Sequence, residues 1–281
     1  MSLFDRFRSQ APSTPKSATM QKSRYDSDQY FQETNQGQAT TTTIQSQTAM
    51  AETTRTQTAL SEVAEAFEEL ADHLRKSRRK KNAESPEEEE EGEEVVEEEE
   101  EEGEGELRLD SFCQACSLVS VLFSCLGLAF KFAETEYVAK VRDLVEASKT
   151  FENLQNVVDV DAANGTVRTA GSHSRNLRRV RQGLDLIRGI FEQFLASDDN
   201  SLKDAATTAY AQICAPYHTW AIRTAVYAGM YTLPTREQLL ARLEENEQSA
   251  EKKMNRYIQA SLPVIQYIDR LYTSRNITLD W

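Results

Sequence analysis

An arginine cluster inside a helix-forming stretch is the feature of this sequence most able to do chemistry. Residues 172–187 read SHSRNLRRVRQGLDLI, and the second half of the stretch is apolar. Within seven positions, with no acid among them, lie Arg175, Arg178, Arg179 and Arg181. Guanidinium groups bind anions, and their fork of donors matches phosphate oxygens. The anion could be a nucleic acid, a membrane surface, the acidic tail of a partner or one phosphate on a small ligand.

The arginines belong to a predicted helix, 172–196, with apolar residues on both of its sides. Its main apolar face consists of Leu177, Val180, Leu184, Ile187, Phe191, Phe194 and Leu195. On the opposite side, at i, i+3 and i+4 spacing, lie Arg175, Arg178 and Arg179. Leu186 and Ile190 follow on that side, so the second half of the helix is expected to be buried all round. A charged entrance above an apolar interior is the arrangement expected of a site that binds an amphiphile.

The charge distribution argues against nucleic acid as the anion. The chain has a net charge of −14, but residues 84–106 contain sixteen glutamates and no base, which leaves +2 for everything else. From Leu107 to Trp281, twenty Lys and Arg balance twenty Asp and Glu. A broad nucleic-acid surface needs a basic domain, so we predict no nucleic-acid partner.

The cysteine spacing favours neither a metal site nor a disulfide framework. The four cysteines are Cys113, Cys116, Cys125 and Cys214. The CxxC pair of Cys113 and Cys116 is followed by no second pair at zinc-finger spacing. The N-terminus, MSLFDRFRSQAPSTPKS, lacks the apolar core of a signal peptide, so we expect reduced thiols in the cytosol. We predict no metal.

Neither a membrane span nor a catalytic motif is visible in the sequence. The longest apolar run, 118–130, has 13 residues, fewer than the ~20 that a spanning helix needs, and we expect it to form a buried helix. There is no Gly-rich phosphate loop and no triad pattern, so we predict no cofactor and no catalytic residue.

The coarse organisation is a tail, a helical domain and an acidic insert. Residues 1–55 are rich in Ser, Thr and Gln, and we expect a disordered tail. Residues 56–281 form the predicted all-α domain, with a disordered polyglutamate insert at 83–106. Helices are predicted at 56–76, 110–131, 133–153, 172–196, 201–213, 216–232, 235–246 and 249–274. The stretch 156–167 is as compatible with a strand as with a short helix and turn.

The remaining candidates have plain structural explanations when each is taken alone. Glu136 and Lys140 have the i, i+4 spacing of a surface ion pair worth ~0.2–0.5 kcal/mol. His218, in APYHTW, reads more simply as a core histidine, and Trp220 as core packing. His173 reads as a surface or capping residue.

Three separated blocks of the sequence resemble the glycolipid transfer protein superfamily. They are CSLVSVLFSCLGLAFKFAETEYVAKVRDLV, AGSHSRNLRRVRQGLDLI and APYHTWAIRTAVYAGMYTLPTREQLL, and the resemblance covers about residues 56–281. It is strongest to the branch that transfers ceramide-1-phosphate, and within that branch to the plant accelerated-cell-death type. The resemblance implies a two-layer all-helical sandwich of about eight helices. One sphingolipid would sit with its chains inside and its headgroup at the surface.

The resemblance also implies roles for individual residues. Lys140, Arg175 and Arg179 match the residues that bind the headgroup phosphate. Glu136 matches an acidic residue that accepts a hydrogen bond from the sphingolipid amide N–H, although the family pattern there is Asp. His218 matches the histidine that bonds the amide carbonyl.

For the other residues of these blocks, the resemblance implies either no role toward the lipid or a role at the membrane. Arg178 and Arg181 are not implied as ligands, so we expect them to be packing or surface charges. Trp220 lies where the family contacts the membrane, and an indole suits that interface. In the glycolipid-binding branch a tryptophan stands at the position of Arg179 and stacks on the sugar, so a cation there favours a phosphate headgroup.

The sequence therefore predicts a non-enzymatic carrier of a phosphorylated sphingolipid, ceramide-1-phosphate or phytoceramide-1-phosphate. We expect it to be cytoplasmic, peripheral at membranes and monomeric, with transient membrane contact. The alternative is a sphingolipid sensor or helical scaffold, with protein partners bound through the tail or the acidic insert.

Overall fold

Nine α-helices make up the part of the chain that the structure, a computed structural model, describes: residues 57–84, 105–196 and 201–281. They are α1 (Ala59–Glu84), α2 (Leu109–Cys125), α3 (Lys131–Ala147), α4 (Leu154–Ala163), α5 (His173–Ala196), α6 (Leu202–Ile213), α7 (Trp220–Gly229), α8 (Arg236–Arg242) and α9 (Glu247–Thr273). These ranges contain no strand, only an isolated bridge between Arg108 and Asn153. The all-α prediction is confirmed, and the ambiguous stretch after residue 156 begins inside α4.

The predictions for residues 1–55 and for the body of the insert lie outside the described residues. The edges of the predicted insert belong to the described chain, because α1 continues to Glu84 instead of ending near residue 76. Its extension consists mostly of Arg, Lys, Ala and Glu, which are good helix formers, and has no breaker before Pro86. At the other edge, the amide of Glu106 donates to Ser77 Oγ at 2.9 Å, and Gln155 donates to the carbonyl of Gly105 at 2.9 Å.

The predicted helix 110–131 is wrong in its last turn, because α2 ends at Cys125. Gly127 has φ +82°, a conformation that L side chains rarely adopt, and it turns the chain into a short 3-10 turn at Leu128–Phe130. A Cβ at Gly127 would lie 2.7 Å from Arg242 Nη1, which donates to the carbonyl of Cys125 at 3.0 Å. The predicted burial of the whole run is also wrong, since Leu128 is 79% exposed.

Helix α5 lies at the centre of the fold and packs against α3, α6 and α9. Leu186 and Ile190 are buried, as are Leu184 and Ile187 on the main apolar face, so burial on both sides is confirmed. Tyr257 on α9 donates to the carbonyl of Leu184 at 3.2 Å. The arginine cluster thus stands at the first turns of a helix whose remainder is core.

Two local predictions about helix starts and stops can be compared with the structure. The capping box predicted at Thr235 and Gln238 is present: Gln238 N donates to Thr235 Oγ1 at 3.3 Å, and Thr235 N donates to Gln238 Oε1 at 3.1 Å. Helix α7, in contrast, is shorter than the predicted 216–232, because a 3-10 turn at Ala215–Tyr217 and the Thr219 cap precede it. No residue of α7 is buried.

A search of the described residues found no helix with the length and hydrophobicity that a membrane span requires.

All four cysteines are buried and carry free thiols. Burial raises the pKa of the Cys113 and Cys214 thiols to about 12, and it also raises the pKa of Cys125. Within the described ranges, no group of three or more His, Cys, Asp or Glu side chains is placed to hold a metal ion.

Candidate functional site

The register between α3 and α5 places Lys140 level with the arginine cluster. Gly183 lies so close to Tyr137 that a Cβ there would be 2.5 Å from its ring. Asn176 Nδ2 donates to Asp143 Oδ2 at 2.8 Å. Residues 137 and 143 of α3 therefore lie opposite residues 183 and 176 of α5, and the two helices run antiparallel. Lys140, midway between the two contacts, lies opposite Arg179.

The two predicted phosphate arginines have no carboxylate partner among the described residues. Arg179 Nη1 donates to Gln182 Oε1 at 2.7 Å, and Arg175 Nη1 donates to the carbonyl of Arg168. Burial lowers the pKa of Arg179, and the charges of Arg175 and Arg178 lower it further. A half-buried guanidinium that repels its neighbours and has no acid beside it is stabilised by an incoming anion.

The other two arginines of the cluster are held inside the protein. Arg178 is only 2% exposed; its Nη2 donates to the carbonyl of Leu279 at 3.1 Å, and its guanidinium lies 5.5 Å from the ring centre of Tyr217. Arg181 pairs with Asp185 at 2.7 Å and with Asp269. Of the two predicted alternatives, packing or surface charges, the burial of both side chains favours packing.

Glu136 and Lys140 form the surface ion pair that their spacing indicates, with 3.4 Å between Nζ and Oε2. Glu136 is the more exposed partner, with 54% of its side chain accessible. The two residues are one helical turn apart on α3. Its role toward a lipid amide stays a prediction.

His218 lies in the loop between α6 and α7, next to the arginines. Its Nδ1 is 2.8 Å from Tyr210 Oη, so the second ring nitrogen, Nε2, is the one left for a ligand. Burial raises the pKa of Tyr210 to about 12, which keeps its hydroxyl neutral. Tyr210 was missed by the sequence reasoning, because no periodicity relates a residue inside α6 to a loop eight positions later.

The pKa of His218 is lowered from 6.5, first by burial and then by the charge of Arg179. We expect an NMR titration of the histidine ring to give a midpoint below 6.5, and the midpoint to rise in Arg179→Leu. Because the native pKa is depressed, this histidine contributes stability that is complete above about pH 6.5 and declines as pH falls toward its native pKa. A midpoint at or above 6.5 in the unmodified protein would contradict the placement of Arg179 beside the ring.

A second network that the sequence did not indicate ties α3 to the start of α5. Asp143 Oδ2 accepts from Asn176 and lies 2.8 Å from His173 Nδ1. The ring of His173 also meets Phe151 edge-on, at 6.0 Å between centres. His173 does begin a helix, as a capping reading expects, but its contact is with another helix. Asp143 follows Lys140 by three residues, so this network holds the α3 segment after Lys140 against the first turn of α5.

Exposed apolar side chains occur on α7, on the neighbouring 3-10 turns and at the start of α3. Trp220 is 74% exposed and Phe132 is 69% exposed, and Leu128 and Tyr231 are similarly open. We call these four residues the apolar rim. Core packing of Trp220, the plain structural reading, is excluded by its exposure. A cleft of about 430 Å³ lies behind it, lined by Pro216 and Tyr227 among others.

Comparison with known proteins shows which family and which solved structures the chain resembles. The profile of the glycolipid transfer protein family matches residues 107–245. A protein named ACD11 homolog, from Arabidopsis thaliana, is 63% identical over 227 residues, covering 81% of this chain and 90% of the relative. A crystal structure of a mutant Arabidopsis ACD11 (accelerated-cell-death 11) complexed with C12 ceramide-1-phosphate gives a TM-score of 0.68 at 45% identity, covering 81% of this chain and 100% of that one.

The fold is shared more widely. Human ceramide-1-phosphate transfer protein, crystallised with 12:0 ceramide-1-phosphate, gives a TM-score of 0.56 at 22% identity, covering 62% of this chain and 89% of that one. At this identity the likeness concerns the fold alone. The two-layer helical architecture expected from the sequence is confirmed by these structures.

Proposed function

The chain belongs to the glycolipid transfer protein family, whose members transfer lipids and are not enzymes, and we propose that its cargo is a phosphorylated sphingolipid. Ceramide-1-phosphate or its phytoceramide relative would be carried between membranes. The observation that carries the proposal is the pair of arginines, Arg175 and Arg179, that have no acid partner in the described residues, on a helix packed in register with the one that bears Lys140.

The charge of this cluster matches a phosphate monoester. A phosphomonoester has about −1.5 to −2 charges near neutral pH. The two guanidiniums, the ammonium of Lys140 and the carboxylate of Glu136 that pairs with it together have two positive charges, which balance the phosphate. Arginine forks bind phosphate oxygens in a bidentate manner, and each charge-assisted bond contributes ~1.5–3 kcal/mol. In this proposal Glu136 accepts the amide N–H, and Nε2 of His218 bonds the amide carbonyl.

The hydrocarbon chains would enter the apolar interior along α5. Leu184, Leu186, Ile190 and Phe194 continue the helix from the arginines, and all four are buried. A sixteen-carbon chain represents on the order of 13 kcal/mol of hydrophobic transfer, at ~0.8 kcal/mol per CH₂. A carrier has to supply an apolar lining of similar extent, and a core that starts one turn below the phosphate ligands does so.

The experiment that tests the function is transfer of labelled lipid between vesicles. We expect labelled ceramide-1-phosphate to move from donor to acceptor vesicles much faster with the protein than without it, and a labelled glucosylceramide to stay near background. Native mass spectrometry of the purified protein would identify co-extracted lipid. Transfer of the sugar lipid at an equal rate would contradict the assignment of a phosphate headgroup.

Membrane contact is the second part of the proposal, and the apolar rim is its candidate. Indole and phenol rings suit the boundary between headgroups and acyl chains. The protein would work in the cytoplasm as a monomer that docks transiently, in keeping with its four reduced thiols.

We expect Trp220→Ala to lower binding to phosphatidylcholine vesicles by about 10-fold, because a buried aromatic side chain is worth ~1.5–3 kcal/mol. The measurement is sedimentation with vesicles at several lipid concentrations. Leu262→Ala is the matched control, since Leu262 is also exposed but lies on α9. Equal loss in both variants would remove the special role of the rim.

A further inference from the structure

Residues 277–281, here called the tail segment, follow α9 and lie against the start of α5. Ile277, Leu279 and Trp281 are partly buried against the core. The Trp281 ring meets Tyr272 edge-on at 6.2 Å between centres, and its Nε1 donates to the carbonyl of Thr278 at 2.7 Å. The segment is therefore folded onto itself and anchored to α9.

Two arginines that flank Arg175 in sequence are bound to the tail segment. Arg168 Nη2 donates to Thr278 Oγ1 at 2.6 Å and to Asp280 Oδ1 at 3.1 Å, and its guanidinium lies 5.7 Å from the Trp281 ring centre. Arg178 Nη2 donates to the carbonyl of Leu279. Neither arginine is left oriented for an external phosphate in this state.

Arg175 is connected to the tail segment through Arg168. Its Nη1 donates to the backbone carbonyl of Arg168, which is the residue whose side chain the tail segment holds. The link runs from Asp280 and Thr278 to the side chain of Arg168, and from its carbonyl to the guanidinium of Arg175. An exposed ion pair alone is weak, but here it acts together with the Thr278 hydroxyl and the indole face.

We propose that the tail segment and Arg168 form a positioning element for the phosphate site, which orients Arg175 and withholds Arg168 and Arg178 from the lipid. The inference rests on the proposed function, because the phosphate is that of the cargo lipid. Arg168 and Asp280 act through Arg175 and do not touch the ligand. The tail segment thereby selects which of the neighbouring arginines meet the headgroup.

Two variants cut the link at different points, and a third is the control. Arg168→Ala removes the held side chain, and the double variant Thr278→Val with Asp280→Asn removes the groups that hold it. Asp159→Asn is the control, because Asp159 is another exposed acid that pairs with an arginine near the end of α9, Arg275, at 2.5 Å. Vesicle transfer is measured with labelled ceramide-1-phosphate and with labelled ceramide, which lacks the phosphate.

We expect both variants to lower ceramide-1-phosphate transfer about fivefold, with ceramide background and melting temperature unchanged and the control equal to wild type. If the double variant instead raises transfer while Arg168→Ala lowers it, Arg168 is a direct ligand for which Asp280 competes, and the positioning role is overturned. Equal losses for both lipids would also overturn it.

A second measurement needs no lipid. In the lipid-free protein, ¹⁵N relaxation of the arginine Nε–H groups reports how rigidly Arg175 is held. We expect its order to fall in both variants and to stay unchanged in Asp159→Asn; unchanged order in all three would refute the link. If wild type fails to transfer ceramide-1-phosphate but this result holds, the cargo assignment fails and the positioning element stands.

Discussion

Arg179→Leu should lower ceramide-1-phosphate transfer by about 10- to 100-fold and leave the protein folded. The guanidinium is one of two in the site without a carboxylate partner among the described residues, and lost charge-assisted bonds of ~1.5–3 kcal/mol correspond to that range. Burial already disfavours its charge, as the lowered pKa indicates. A leucine there removes a repulsive cation, so the melting temperature should be equal or slightly higher.

The matched control for this variant is Arg142→Leu, which makes the same exchange on the exposed side of α3, two residues after Lys140. Both are measured by vesicle transfer at two salt concentrations, because screening weakens headgroup attraction and leaves buried apolar contacts almost unaffected. Transfer by Arg179→Leu at the wild-type rate would contradict the assignment of Arg179 as a phosphate ligand.

Gly183→Ala should destabilise the protein by about 2 kcal/mol, although alanine is the better helix former by ~1 kcal/mol. The added Cβ would lie 2.5 Å and 2.9 Å from two carbons of the Tyr137 ring. That ring cannot easily retreat, since its hydroxyl donates to the carbonyl of Cys116 at 3.0 Å and it packs on Phe123 at 5.0 Å between centres. Thermal unfolding should show a midpoint lower by roughly 4–8 °C.

The same substitution should also reduce lipid transfer, because Tyr137 lies between Glu136 and Lys140 on α3. Pushing its ring away from α5 moves Lys140 away from Arg179. Gly189→Ala is the control on the same helix. Its Cβ would meet Ile213 Cδ1 at 2.6 Å, the far end of a flexible side chain that can rotate, and Ala209 Cβ at 3.3 Å, which has to give way by only a few tenths of an ångström. Equal losses of stability in the two variants would show that helix packing in general, and not the Tyr137 contact, sets the cost.

The architecture was largely predictable because it depends on local patterns. The apolar positions of α5 repeat at helical spacing on both sides, and the structure buries Leu186 and Ile190 as that spacing requires. The predicted end of α2 was wrong because the apolar run continues past Gly127. The positive φ of Gly127 ends the helix although the residues after it are apolar. A glycine inside an apolar run was the available signal.

The candidate site was predictable only in part. Spacing alone grouped Arg175, Arg178 and Arg179 on one side of a helix, and the family resemblance separated them. The structure supplies the physical reason, since Arg178 is turned toward Leu279, a hundred residues later in the chain. The partners of His218 and Asp143 were equally hidden, because contacts between distant segments leave no periodic signal.

The buried thiols provide a way to measure how often the protein opens. With pKa values raised by burial, Cys113 and Cys214 are almost wholly un-ionised at neutral pH and react slowly with alkylating reagents. A reagent can reach these sulfurs only when the helices around them part, because both side chains are buried. The rate of alkylation therefore measures how often the protein opens. Bound lipid should lower this rate, because it fills the space through which the reagent must pass.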